Sequence, residues 1–307
     1  MAGIFTEMNR RFTSGSILAK YIYINVGVYF LIQLIMLFMQ LFQQEPVSAL
    51  PHFLKYIQMP SSWQTLQSRP WTIFTYMFVH IDFWHILINM LGLYWFGKIF
   101  LRYFNGRQLS GLYVLGGLAG GALYSLSFHL FPYFRPVVDN SYLFGASASV
   151  MAIVFAVSFS QKDFSLNLFF LGRIKLMYIA VGFFLIDLFA ITSSNAGGRI
   201  AHIGGSLLGV FFALQYLKGK DVTRFINRII DFFINLFRRK PKFKVHRNKT
   251  YKAPPSQSRR PETDDAYLCR KKEEETAINN ILDKLKHSGY ESLTAEEKKR
   301  LFQASKS

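Results

Sequence analysis

The chain has 307 residues, 51% of them hydrophobic and 17% aromatic, with 32 Phe and 16 Tyr. A soluble domain of this size rarely carries so much apolar and aromatic mass, and the apolar spans described next exclude a soluble globular enzyme, as the single Cys269 excludes a disulfide scaffold. Lys and Arg outnumber Asp and Glu 36 to 18, with a net +11 in residues 218–307 and +7 in the first 217, there mostly between apolar runs. The pattern is that of a polytopic membrane protein with a basic tail.

About 20 apolar residues of helix cross a hydrocarbon core of ~30 Å. Residues 21–42 are uncharged and show no small-residue cleavage site, so they read as a retained span rather than a signal peptide. The loop 44–82 carries Trp63, Trp71 and several Phe and Tyr, a composition suited to lying partly in the membrane interface. Further spans are expected at about 83–100, 109–131, 145–160, 174–192 and 200–217. No alternating ten-residue barrel strands are visible, and lipid forces backbone pairing within helices. The expected fold class is therefore an all-α membrane protein, a six-helix bundle over residues 1–219.

Residues 220–252 read as a basic amphipathic segment on the membrane surface. Phe225, Ile226, Ile229, Phe232, Phe233 and Leu236 alternate there with Arg224, Arg228, Arg238 and Arg239. The polybasic stretch 240–252 suits anionic lipid rather than nucleic acid, because it is tethered at a membrane. Residues 253–307 read as a linker followed by a short helical tail. Helices are expected at 273–286, ended by Gly289, and at 294–305, opened by a Thr294-x-x-Glu297 capping box; the charge runs there read as solvated faces.

Orientation follows from the basic residues. Arg10, Arg11, Lys20, Lys98, Arg102, Arg107, Lys162, Arg173 and Lys175 fall on one side, with the tail. Lys55, Arg69, Arg135 and Arg199 fall on the other. Nine against four places both termini in the cytoplasm, in a multi-pass protein of the cytoplasmic membrane.

Polar groups inside spans invite a functional reading. His80, His85 and Asn89 stand at the start of the second span, Ser147 and Ser149 at the start of the fourth, and His202 at the start of the sixth. All three starts lie on the outer side. His85 and Asn89, four apart, share a helix face. His202, Gly205, Ser206, Gly209 and Ala213 form a stripe that is small apart from the His, and small stripes let helices approach closely. Gly145-Ala146-Ser147-Ala148 is likewise small, so the two stripes can face each other with Ser147 and His202 in reach. A hydroxyl needs a base to become a nucleophile, and His is the commonest one near neutral pH. Acyl transfer also needs donors for the developing oxyanion. The Ser147 backbone N–H, the Asn89 amide and the His85 ring are the candidates.

The arrangement resembles the rhomboid intramembrane serine proteases. The resemblance rests on Arg69-Pro70-Trp71, Phe78-Val79-His80, His85-Ile86-Leu87-Ile88-Asn89, Gly145-Ala146-Ser147 and Ala201-His202-Ile203-Gly204-Gly205 with Gly209. It covers residues 20–217 and implies a six-helix fold that cleaves transmembrane protein substrates with no metal or organic cofactor. Ser147 would be nucleophile and His202 base, with His85 and Asn89 helping the oxyanion hole. The 44–82 loop would be a membrane-embedded loop and the fifth span a substrate gate. Ala148, Met151 and Gly97-Lys98-Ile99-Phe100-Leu101-Arg102 depart from the family pattern, which often has Gly after the serine, an aromatic four after it, and an acid after the glycine ending the second span. The tail, through Ile281-Leu282-Asp283-Lys284 and His287-Ser288-Gly289-Tyr290, looks like the helical tail of some bacterial rhomboids.

Other residues read more plainly. Ser149 is turned ~200° from Ser147 on a helix. His80 reads as a loop or structural histidine, with contact to substrate or the oxyanion region as the alternative, His129 as interfacial, and Asp82 as the cap of the second helix. Asp187, the one acid inside a span, reads as a water-exposed gate residue or partner of a nearby polar group rather than as the third member of a triad. Two rivals remain. A catalytically inactive relative that binds and sorts membrane proteins would be expected to lack the Ser or the His. A channel or transporter would continue its polar path through the spans, which these do not.

Overall fold

The computed structural model describes residues 16–42, 53–168, 172–237 and 264–304. The basic residues Arg10 and Arg11, the polybasic stretch 240–252 and most of the expected linker lie outside the described residues. Helix α1, Ile17–Phe42, leaves Phe30, Leu31, Leu34, Leu37 and Phe38 exposed and buries Leu18, Tyr21, Asn25 and Ile32. An apolar face turned outward over this length is at home only in hydrocarbon. The buried side carries polar groups that pair with one another, as a low-dielectric interior requires. The Tyr21 hydroxyl lies 2.8 Å from Ser110 Oγ, Asn25 Nδ2 donates to Tyr113 Oη at 3.1 Å, and the Tyr113 hydroxyl donates to the Met77 carbonyl at 2.9 Å.

The chain then forms β1 (Met59–Pro60) and a short helix, Trp63–Ser68, before α2 (Phe83–Tyr103). Asp82 caps α2 as expected, accepting from the His85 backbone N–H at 2.8 Å. Helix α3 (Gly106–Leu130) starts on a capping box of Asn105 and Gln108. Strand β2 (Tyr142–Leu143) pairs antiparallel with β1, Met59 opposite Leu143, and leads into α4 (Ser147–Ser160). A hairpin of β3 (Ser165–Leu168) and β4 (Gly172–Lys175) joins α4 to α5 (Leu176–Phe189), and α6 (Ala196–Leu217) follows. Lys175 bonds Asp163 at the foot of the hairpin and holds that carboxyl below its ordinary range. Helices α2, α4 and α6 start at one end of the bundle.

This is an all-α membrane protein with small strand pairs in its loops. Helices α1, α2, α3 and α6 are long and apolar enough to cross a membrane. The other two expected spans are shorter than read from the sequence: α4 and α5 have 14 residues each, about 21 Å at ~1.5 Å per residue. Helix α4 begins at Ser147 rather than at 145, because Gly145 has φ +112°, outside any helix. Ile174, expected in the fifth span, pairs with Leu166 in the hairpin.

Helix α4 is buried on all sides, every residue from Ala148 to Ser158 except Met151 being buried. Helix α6 packs most extensively against α4 and α3. A Cβ on Gly205 or Gly209 would overlap the Ala148 or Ala152 carbonyl oxygen, so α6 and α4 touch backbone to backbone along the expected small stripe.

Helix α7 (Arg224–Phe237) lies against α3. Thr223, Ile226 and Asn227 are buried there, Asn227 Nδ2 donates to the Arg107 carbonyl at 3.0 Å, and Arg107 pairs with Asp231. Phe225, Phe232, Phe233 and Leu236 remain exposed. Residues Lys240–Ser307 form a second compact unit. Its helices are α8 (Asp264–Ser288) and α9 (Ala295–Ala304), with Gly289 at φ +74° after the first. The capping box forms as read: Glu297 accepts from the Thr294 N–H at 2.7 Å, and Thr294 Oγ1 from the Glu297 N–H at 3.3 Å. The Thr294 amide and the Lys284 ammonium hold the Glu297 carboxyl below its ordinary range.

Candidate functional site

A cavity of about 810 Å³ opens at the end of the bundle where α2, α4 and α6 begin. Its wall includes His85, Asn89, Ser147 and His202, so the four candidates meet in one place. Tyr124, Phe128, Tyr133 and Phe134 supply much of its apolar lining.

The turn before Ser147 is built with care for backbone pairing. The Gly145 N–H donates to the Tyr76 carbonyl at 2.9 Å, and the Ala146 N–H to His80 Nε2 at 3.4 Å. The Val150 N–H bonds the Ala146 carbonyl, so the Ser147 N–H stands ahead of the first helical bond, at the positive end of α4. A Cβ on Gly145 would come 2.7 Å from His85 Nε2, so the His85 ring rests on the turn that leads into Ser147. His80 and Phe144 pack edge-on against that ring, at 5.1 and 5.6 Å between centroids.

Asn89 is buried and donates from Nδ2 to the His85 carbonyl at 2.9 Å, which fixes the side chain and leaves its second N–H. Ser147 and His202 line the same cavity from helices in backbone contact, without a hydrogen bond between them. His202 Nδ1 lies 3.0 Å from Asp187 Oδ2, and Arg199 Nη1 donates to Asp187 Oδ1 at 2.9 Å. Asp187 is thus not water-exposed. Its side chain is 5% accessible, and it faces α6 rather than solvent.

The remaining residues sort clearly. Ser149 is buried with its hydroxyl near Gly117 of α3, away from the cavity. His129 stacks on Trp63 at 4.1 Å and lies 2.9 Å through Nδ1 from the Ser125 carbonyl. His80 is fully buried and structural, a support for the Ala146 amide that sequence spacing does not reveal. Chemically, the cavity joins a hydroxyl, an imidazole with one nitrogen already engaged, and N–H groups near the hydroxyl.

A bundle of apolar helices with a cavity sunk into one end, into which the candidate polar residues gather, defines a multi-pass membrane protein. Residues 67–219 match the Rhomboid domain model, and the chain belongs to the rhomboid family. Residues 262–307 match DUF6576, a family of unknown function. RHOMBOID-like protein 12, mitochondrial, of Arabidopsis thaliana is 31% identical over 160 residues, 48% of this chain and 47% of that protein. Rhomboid protein 1, mitochondrial, of Saccharomyces cerevisiae is 26% identical over 186 residues, 54% of this chain and 51% of that protein. Rhomboid-like protein 16, chloroplastic, of Arabidopsis thaliana is 39% identical over 71 residues, 23% of this chain and 22% of that protein. The chain thus spans about half the length of the two mitochondrial relatives and less than a quarter of the chloroplastic one.

Proposed function

We propose that the protein is an intramembrane serine endopeptidase acting on transmembrane protein substrates. The observation that carries this reading is the convergence of Ser147, His202, His85 and Asn89 on one cavity, with Ser147 at a helix start. His202 Nε2 takes the Ser147 proton, and Oγ attacks the scissile carbonyl carbon. The Ser147 N–H, the Asn89 amide and the His85 ring hold the oxyanion. The imidazolium returns its proton to the leaving amine, and water then hydrolyses the acyl-enzyme by the same base.

The excess of Lys and Arg in the loops supports cytoplasmic termini, in a bacterial type of rhomboid with the cavity opening outward. The apolar outer face of α7 and the basic residues after it suit an anionic leaflet. Cleavage of a membrane-spanning reporter by wild type, Ser147→Ala, His202→Ala and the double variant tests the reading. Both single variants are expected to lose cleavage, and the double variant to be no worse, because the pair acts as a unit. Normal turnover by either single variant refutes it.

A further inference from the structure

The acid on α5 is singular in its surroundings. The buried residues of α5 are Leu176, Ala180 and Asp187, while Ile186, Leu188 and Phe189 around the acid are exposed. One charged group therefore points inward from an otherwise apolar helix end. A buried carboxylate is tolerated only when its lone pairs are met. Here Arg199 meets one oxygen and His202 the other, and these two, three residues apart on α6, share a helix face.

A neutral imidazole carries its proton on one nitrogen. A carboxylate at Nδ1 accepts only from Nδ1–H, and this leaves the Nε2 lone pair for the proton of Ser147. The geometry points to Asp187 as a positioning residue that holds His202 in the tautomer and orientation a base requires, with Arg199 fixing the carboxylate. This rests on the roles given to Ser147 and His202 above. The guanidinium balances the carboxylate at rest, so no net charge is buried beside the neutral ring. Once Nε2 has taken the serine proton, the same carboxylate stabilises the imidazolium. Asp187 itself stays ionised, and the proton passes from Ser147 Oγ to Nε2 and on to the leaving amine.

The test compares full-length wild type, Ser147→Ala, Asp187→Asn and Asp187→Glu on one membrane-spanning reporter. Asn matches Asp in shape but donates to Nδ1 and so selects the wrong tautomer; its kcat is expected to fall on the order of 10²–10⁴-fold. Glu keeps the charge and is expected to recover much of that loss. A packing role ranks the two the other way, so Asn equal to or better than Glu overturns the inference. If Ser147→Ala is dead while Asp187→Asn matches wild type, this inference alone falls; an active Ser147→Ala removes the serine protease reading beneath it. A second readout needs neither turnover nor a variant at Asp187. In the Ser147→Ala protein, the nitrogen-15 shifts of His202, assigned against His202→Gln, are expected to report Nδ1–H. An Nε2–H tautomer overturns the proposal.

Discussion

Gly145→Ala puts a single methyl group where the turn before α4 has no room. Two costs coincide. Gly145 has φ +112°, a conformation that L side chains rarely adopt, and the new Cβ would lie 2.7 Å from His85 Cε1 and Nε2. The ring has to retreat by about 0.3 Å to reach 3.0 Å and by about 0.7 Å to reach relaxed contact at 3.4 Å. His80 and Phe144 pack against it, so the ring has to retreat toward the cavity it also lines. Backbone strain and overpacking of this kind cost about 1–3 kcal/mol each, so a loss of about 2–6 kcal/mol is expected. Displacing the His85 ring, a candidate oxyanion donor, by a sizeable part of an ångström is expected to lower turnover roughly 10²-fold. The assay is thermal unfolding in detergent beside cleavage of a membrane-spanning reporter. The control is Gly182→Ala on α5, where an added Cβ meets nothing within 4 Å and a gain of about 0.5–1 kcal/mol is expected. A Gly145→Ala protein with wild-type unfolding and turnover would refute the account of this turn.

Asn89→Ala is expected to fold normally and to turn over roughly 10²–10³-fold more slowly, since one oxyanion donor is lost; an unchanged rate takes Asn89 out of the site. Ending the chain after residue 239 keeps α7 on α3 and is expected to preserve cleavage in detergent. Ending it after residue 219 removes the buried Thr223, Ile226 and Asn227 and is expected to lower the unfolding midpoint by several degrees, in a side-by-side melt. Equal midpoints would mean that the docking of α7 adds nothing. A cysteine placed between residues 61 and 75 is expected to react with an impermeant reagent in intact cells while Cys269 is protected, and the reverse labelling would invert the topology.

Local chemistry was the legible part of this chain. Asp82 and Thr294 with Glu297 cap their helices because capping depends on residues one turn apart. The stripe from His202 to Ala213 faces α4 because small residues at helical spacing have little other use in lipid. What stayed hidden depends on how elements meet. Asp187 was legible as the partner of a nearby polar group, but that the partners are Arg199 and His202 depends on α5 stopping at Phe189, so that its end stands beside the start of α6. The β3–β4 hairpin takes in Ile174, which reads as the start of the fifth span, and pairing across a turn has no local marker. His80 supports Ala146 across 66 residues of chain.

The backbone contact of α4 with α6 has a mechanical consequence. Side chains between helices act as a compliant layer that can repack when a helix tilts or slides. At Gly205 and Gly209 that layer is missing, and the two helices meet as hard surfaces. The separation of Ser147 from His202 is therefore expected to change little when other helices move. If the protein cleaves polypeptides as proposed, any motion that admits one has to be taken up elsewhere. Helix α5 is the candidate on that reading, since it buries only Leu176, Ala180 and Asp187 and its end near the cavity is held inward by that one acid.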